Sequence, residues 1–402
     1  MSESSGFIGP DALSEWRKTK ESSGALDVVL VTHPRDENDL PRLFPWSVHL
    51  SMADRFQLTR HMKPVFGEIV TIGALRVGIL FLPFYANELI DASARRHCGQ
   101  VLEVDAIAAA AETGAKVLCL GGLTGALSLY GHKLVKPAEQ AGIVVTTGHA
   151  VTSISVLRTY EKAVEELGRR PAEQKVTVIG VGSIGRSFAQ LLSTVEEKPS
   201  ELVLVDRPQM SGKLDRLAEE FRRTTGLKTS FEITDATGAL PADSSCYSTD
   251  VLVSAVSTAY VVDIDKVAPG TILIDDSQPY CWSREGAWRR VVERADIVPC
   301  EAGLVDCRSI GFRSRFPFDF AEVDADGSST AWSCLTEGMI FALEPGITPT
   351  IGEPTAEMIS AYMTAFDQNK LCIPALQCGP HVLPIGKLRA AIGKESSGGA
   401  SQ

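Results

Sequence analysis

The chain has little that would tie it to a membrane, a metal or a nucleic acid. No apolar run approaches the length of a bilayer span; the longest candidate, Ile79 to Tyr85, is strand-sized and contains Pro83. The opening segment MSESSGFIGPDALSEW carries no basic stretch followed by an apolar one, so no secretory leader is expected. Nine cysteines are scattered without a CxxC pair and without His-rich metal spacing. That pattern argues against a disulfide framework or a bound metal, and for reduced thiols in the cytoplasm. Positive charge is in deficit, with 39 Lys and Arg against 50 Asp and Glu and a net charge of −11. A general nucleic-acid binder needs the opposite balance. There is no P-loop motif and no internal repeat.

What is present is concentrated between Lys175 and Asp206, KVTVIGVGSIGRSFAQLLSTVEEKPSELVLVD. Val176 to Ile179 reads as a buried strand, and Gly180, Gly182 and Gly185 follow at G-x-G-x-x-G spacing. Ile184, Phe188, Leu191 and Leu192 then recur with a helical period. Leu202 to Val205 is a second apolar strand, closed by Asp206, 21 residues past the third glycine. In a βαβ unit that binds a dinucleotide, the first glycine permits the tight turn. The second lets the backbone approach a pyrophosphate, and the third lets helix and strand pack closely. The helix N-terminus, around Ser183 and Ile184, turns N–H groups and a positive dipole end towards the phosphates. Asp206 suits a ribose 2′-hydroxyl, whereas Arg207 beside it suits a 2′-phosphate. The residues alone lean to NADH.

Later segments extend this sheet. Asp250 to Val256, Thr271 to Asp275 and Ile297 to Pro299 read as further strands, with Ser254 near one strand end and Ser257 just past it. Alternation of strands and helices predicts a parallel sheet, with ligands at the carboxyl ends of its strands. Ser254 and Ser257 are placed to meet a nicotinamide ribose. Asp275 and Asp276 lie near the same edge, where acids also commonly cap the next element. Upstream, strands are expected at Leu26–Thr32, Phe66–Val70, Leu75–Phe81, Lys116–Leu120 and Val144–Thr147. Helical patterns cover Ala86–Thr113 and Val151–Leu167, and Ser333–Leu343 and Ala356–Asn369 near the C-terminal end. The fold class is therefore α/β: a Rossmann-type doubly wound parallel sheet with an N-terminal α/β substrate domain and C-terminal helices. The expected boundaries are a mobile N-terminus at 1–25, a substrate domain at 26–172, a dinucleotide domain at 173–334, a helical segment packing back at 335–390 and a mobile tail at 391–402.

Candidate reactive side chains cluster beyond the strand ends. His149 directly follows the Thr146-Thr147-Gly148 turn, where it could protonate or orient a carbonyl or simply cap a helix. Thr147 and Thr152 flank it and could bind polar substrate groups. Cys307, Cys300 and Cys281 lie past the later strands, although most cysteines are small buried hydrophobes.

Several segments, in order, resemble the acyl-(acyl-carrier-protein) reductases of cyanobacterial alkane synthesis: LGGLT at 120–124, VTTGHAVTS at 145–153, GVGSIGRS at 180–187, ILIDDSQP at 272–279, EAGLVDC at 301–307 and TEGMIFAL at 336–343. The resemblance spans about Val28 to Leu376. It implies reduction of an acyl thioester, carried by an acyl carrier protein or by CoA, to an aldehyde with NADPH. It also implies a thioester-binding first domain with Gly122 and Thr124 among its substrate contacts, and Cys307 as the nucleophile that forms an acyl-enzyme. An aldehyde-consuming enzyme would follow. The basic residues Arg95, Arg96, Lys133 and Lys136, in the first domain, could dock an acidic carrier or form a solvated face. The chain departs from that family where His149 replaces an asparagine, and where Asp206 replaces a small residue before an arginine. Two other readings compete: an amino-acid or hydroxy-acid dehydrogenase with no covalent step, and a cofactor-binding sensor without catalysis.

Overall fold

Short runs of Val, Ile and Leu, buried along most of their length, build the centres of two separate sheets, as parallel strands covered on both faces require. The computed structural model describes residues 6–35, 39–73 and 75–398. The chain divides into two compact units, one of residues 1–152 and 304–374, the other of 153–303 and 375–402.

The first unit holds strands β1 (Gly6–Ile8), β2 (Val28–Thr32), β3 (Val65–Ile72), β4 (Leu75–Phe81), β5 (Val117–Leu120) and β6 (Val144–Thr146). They lie in the order β1-β3-β4-β2-β5-β6. β2, β4, β5 and β6 run parallel, and β1 and β3 are added antiparallel at one side. The hairpin expected around Gly73 is present, with Ile72 opposite Leu75 and Gly73 at φ +55°. Val29, Val31, Leu80, Leu118 and Leu120 pack with Trp16, Leu102 and Ile107 into one apolar core.

The second unit holds β7 (Lys175–Ile179), β8 (Glu201–Asp206), β9 (Thr229–Ile233), β10 (Val251–Ser254), β11 (Ile272–Asp275) and β12 (Val298–Glu301), all parallel, in the order β12-β11-β10-β7-β8-β9. The chain leaves β7 towards β8 and β9, then crosses to β10 and continues outward to β12. The order therefore reverses between β7 and β10, the topological switch point of a doubly wound sheet. β9 has no counterpart among the sequence expectations. Its residues TSFEI are only partly buried, as on an edge strand, so they lack the apolar run that marks a central one.

Residues 304–374 return to the first unit. β13 (Leu304–Asp306) pairs antiparallel with β14 (Thr330–Trp332), and the Ser333–Leu343 helix packs on β5 and β2. Contact there is close: a Cβ at Gly338 would lie 1.9 Å from the Cys119 sulfur. Arg35 ties this return segment to the first sheet, with its guanidinium 3.0 Å from Asp39 and 3.4 Å from Asp319.

The structure corrects several boundaries. The dinucleotide unit closes at 303 rather than 334, because β13 and β14 belong to the first unit. The C-terminal segment does not pack as one block: 304–374 joins the first unit and 375–402 the second. The N-terminus is not a mobile stretch to residue 25. Ala12–Ser23 is a helix whose Ala12 and Trp16 are buried in the core, which is what orders it. The tail is helical over Ile385–Gly398; residues 1–5 and 399–402 lie outside the described residues. The helix expected over 86–113 is broken at Asp91, whose carboxylate accepts the N–H groups of Ser93 and Ala94 at 2.8 and 3.1 Å. That local turn competes with helix continuation.

Candidate functional site

At the switch point the glycines do what their spacing requires. Gly180 sits at φ +86°, and a Cβ there would lie 2.4 Å from the Ala255 carbonyl oxygen and 2.7 Å from Val256. Any side chain would push β7 away from the segment that follows β10. A Cβ on Gly185 would come within 2.0 Å of the Gly180 carbonyl oxygen, so the helix can approach its strand only with glycine here. Gly182 is the N-cap of the Ser183–Thr194 helix, in extended conformation. Ser183 is buried and Ile184 half-buried in its first turn. A helix leaves its first N–H groups without intrahelical acceptors, and these are the groups an anion would use.

Asp206 ends β8 with one oxygen accepting the Val181 N–H at 2.9 Å and the other accepting the Arg207 N–H at 2.8 Å. The acid at the strand end therefore holds the glycine loop. Arg207 is exposed, with its Nε 4.0 Å from Asp206.

The other strand ends are differently equipped. Ser254, Asp275 and Glu301 lie in register across β10, β11 and β12. Ser254 is fully buried and donates to Asp275 at 2.7 Å, so the ribose contact expected of it is already committed elsewhere. Asp275 also accepts the N–H groups of Ser277 at 2.9 Å and Cys281 at 3.0 Å. Burial pushes its carboxyl above the usual range, and these three donors pull it back. Asp276 follows, half-buried, and burial together with the Asp275 charge holds its carboxyl well above the usual range. Ser257 is exposed beyond the strand.

In the first unit the LGGLT and TTGH turns lie at the ends of β5 and β6. Gly122 takes φ +58°, and Thr124 is buried with its hydroxyl donating to the Gly121 carbonyl at 2.8 Å. Thr124 thus closes the turn. His33, which no sequence motif singled out, accepts the Leu123 N–H on Nε2 at 3.0 Å and donates from Nδ1 to the Pro34 carbonyl at 2.9 Å. Burial lowers its pKa to about 4, so it is a neutral brace for the turn.

The Thr147 N–H donates to the Thr350 carbonyl at 2.9 Å. Gly148 takes φ +79°, and a Cβ there would lie 2.5 Å from the Cys334 backbone. His149 then begins the 18-residue His149–Glu166 helix. Its ring meets Tyr130 edge-on at 5.5 Å, and burial lowers its pKa to about 4. Thr152 is buried, hydroxyl to hydroxyl with Ser333 at 2.8 Å.

The carboxylate of Glu337 organises this turn. Glu337 is fully buried; one oxygen accepts the Thr146 hydroxyl and the Gly148 N–H at 2.9 Å, and the other accepts the Val151 N–H at 3.1 Å. It caps the His149–Glu166 helix from another helix. The signal was legible as a lone acid inside the apolar run SCLTEGMIFAL.

The cysteines are not arranged as nucleophiles. Cys307 is fully buried, its sulfur 3.5 Å from the Thr336 hydroxyl, and burial pushes its thiol to about 12. Burial also raises Cys281 and Cys300. A thiol must ionise to attack, and burial opposes that at all three. Arg95, Arg96, Lys133 and Lys136 are exposed, and Lys133 lies 3.8 Å from Glu103, so the basic group is partly neutralised. Among the described residues no helix is long and apolar enough to cross a membrane.

Strand order, switch point and glycine loop together define the second unit as a Rossmann-type doubly wound α/β domain. No family model and no curated protein matches the chain. Among solved structures it is similar to L-tryptophan dehydrogenase from Nostoc punctiforme at 11% identity over 94% of this chain and 89% of that one, with a TM-score of 0.39. It is also similar to shikimate 5-dehydrogenase from Listeria monocytogenes (13% identity, 63% and 78% of the chains, TM-score 0.31). A third likeness is quinate dehydrogenase from Corynebacterium glutamicum (15% identity, 62% and 79%, TM-score 0.30). All three scores lie below 0.5, so the fold class rests on this chain's own strand order.

Proposed function

We propose that this chain is a nicotinamide-dependent oxidoreductase that transfers hydride without a covalent acyl-enzyme, acting on an amino acid, a hydroxy acid or the corresponding carbonyl compound. The observation that carries the reading is the glycine loop held at the switch point by the Asp206–Val181 hydrogen bond. Gly180 and Gly185 permit the turn and the close helix packing, Gly182 lets the backbone approach a pyrophosphate, and Asp206 takes ribose hydroxyls. Bound there, a nicotinamide supplies or accepts the hydride. His149, which burial keeps neutral, is suited to hydrogen-bond a carbonyl rather than to take up a proton. Reduction of a thioester through Cys307 rests on the segment resemblance. It needs an accessible thiolate, and the buried Cys307 thiol opposes that.

Two measurements test the reading together. Purified protein is expected to bind NADH, to reduce NAD+ with a member of an amino-acid and hydroxy-acid panel, and to oxidise NADH with the corresponding keto acid, with ammonium present where the product is an amino acid. Intact mass after mixing with acyl-CoA and acyl-carrier thioesters is expected to show no adduct. An adduct on the wild type that disappears in Cys307→Ala would overturn the non-covalent reading in favour of the thioester one.

A further inference from the structure

The segment just past β11 is locked to the segment just past β10. The Asp276 N–H donates to the Ser254 carbonyl at 2.9 Å, and the Gln278 N–H to the Val256 carbonyl at 3.2 Å. The Val256 N–H donates to the Ser277 hydroxyl at 3.0 Å. Ala255 and Val256 in turn are what the missing Cβ of Gly180 would strike. One continuous run of contacts therefore leads from the glycine loop to residues 276–278, and it fixes their position on the β10 side of the switch point. In a doubly wound sheet the two halves of a dinucleotide lie on either side of that point. With Asp206 on the β8 side, the half remote from the adenosine falls on this side.

Two acceptors wait here. The side-chain oxygen of Gln278 is buried and has no hydrogen-bond partner. The Asp276 carboxyl makes no hydrogen bond or ion pair among the described residues, whereas Asp275 beside it is used by three donors. A buried acceptor left without a donor, as at Gln278, costs free energy until a donor arrives, whereas the half-buried Asp276 carboxyl stays open to a ligand. The pair therefore fits a group rich in N–H and tolerant of nearby negative charge. It does not fit a phosphate or a carboxylate. A primary carboxamide on a ring that becomes cationic has those properties.

We propose that Asp276 and Gln278 hold the amide nitrogen of the nicotinamide ring, and that Asp276 favours the oxidised, pyridinium form of the cofactor over the reduced one. This rests on the oxidoreductase reading above. The charge argument has a definite sign. Burial and the Asp275 carboxylate oppose ionisation of Asp276. A pyridinium brings the opposite charge and promotes it, so binding of the oxidised cofactor releases a proton and tightens as pH rises. The neutral reduced ring has no such linkage. The charged group that acts on Asp276 is Asp275, the last residue of β11; across the strand ends Asp275 is in register with Glu301 of β12, which receives the Gln377 amide at 3.4 Å, and with the uncharged Ser254 of β10.

The test is calorimetric titration of the full chain, Gln278→Met and Asp276→Asn with four probes: ADP-ribose, NAD+, NADH and 3-acetylpyridine adenine dinucleotide, which keeps the ring carbonyl and lacks the N–H donors. ADP-ribose is expected to bind all three proteins equally, which also establishes that the variants fold. Wild type should prefer NAD+ over the acetylpyridine analogue by about tenfold, the value of one well-placed hydrogen bond, and Gln278→Met should lose that preference. Asp276→Asn should weaken NAD+ more than NADH and remove the rise of NAD+ affinity with pH. Variants that bind ADP-ribose normally and leave the NAD+, NADH and analogue affinities unchanged would overturn the assignment while leaving the oxidoreductase reading intact. A wild type that binds neither ADP-ribose nor NADH would remove both.

Discussion

At the scale of single residues, Asp206 does two things at once. Its carboxylate ties the Val181 N–H and so shapes the glycine loop, and on the proposed cofactor reading its negative charge would oppose a 2′-phosphate. Asn at this position keeps an acceptor for Val181 and removes the charge. Asp206→Asn is therefore expected to lower the ratio of NADH to NADPH affinity by about tenfold, read by fluorescence titration of both cofactors. An unchanged ratio would mean that Arg207, not Asp206, sets the preference. Cys307 makes the contrasting case. Its thiol is enclosed and protonated, so Cys307→Ala removes packing and not chemistry. The variant should lose about 1 kcal/mol of stability in denaturant unfolding and keep hydride-transfer activity within about twofold. Loss of activity with unchanged cofactor affinity would return Cys307 to the reaction.

At the scale of elements, the informative case is the His149–Glu166 helix. The N-terminus of a helix needs acceptors, and the usual local cap is a Ser, Thr, Asp or Asn side chain. Here the acceptor is Glu337, 189 residues away from Gly148 in sequence. Both of its oxygens receive donors, so a glutamine must aim its NH2 at one of them. Glu337→Gln is expected to cost about 2 kcal/mol of stability and to disturb the Thr147–His149 turn. Chemical denaturation would measure the first, and the environment of the His149 ring by NMR the second. A variant as stable as wild type would show that the carboxylate is not the cap. The break at Asp91 belongs to the same scale: its carboxylate takes the N–H groups of Ser93 and Ala94, which a broader apolar pattern does not reveal.

At the scale of the whole molecule, the chain passes between its two units three times, after residues 152, 303 and 374. Neither unit is a contiguous stretch of sequence. Its stability should also respond to acid in a definite direction. His33 and His149 are buried neutral, with pKa values lowered to about 4 from 6.5. Between those values protons bind the unfolded chain in preference to the folded one, so stability falls as pH drops from about 6.5 to about 4, by roughly 2–3 kcal/mol per histidine. The buried carboxyls Glu68, Glu337 and Asp275, whose pKa values are raised, act oppositely, stabilising most below their ordinary range and losing that contribution as pH rises through the raised values. Between about pH 6.5 and 5 the two effects oppose each other, so the histidine contribution is read by difference. His33→Gln removes one of the acid-sensitive groups, and its urea midpoint should fall less, or rise more, than that of wild type on going from about pH 6.5 to 5. An identical pH dependence in wild type and His33→Gln would contradict the assignment of His33 as a neutral imidazole.

The sequence by itself determined what depends on local period and on backbone freedom. The βαβ unit around Gly180, Gly182, Gly185 and Asp206 was legible because a tight turn and close helix packing demand glycine at fixed spacing. The strands β2, β4, β5, β7, β8 and β10 were legible because buried parallel strands are continuous apolar runs. Tertiary structure alone decided which distant segments share a unit, and therefore the state of each reactive group. Nothing near Cys307 in sequence announces that β13 and the Ser333–Leu343 helix enclose it, or that Glu337 reaches the turn before His149. Burial, hydrogen-bond supply and the resulting protonation state are sums over neighbours brought together by folding. The period and spacing of residues along the chain do not encode them.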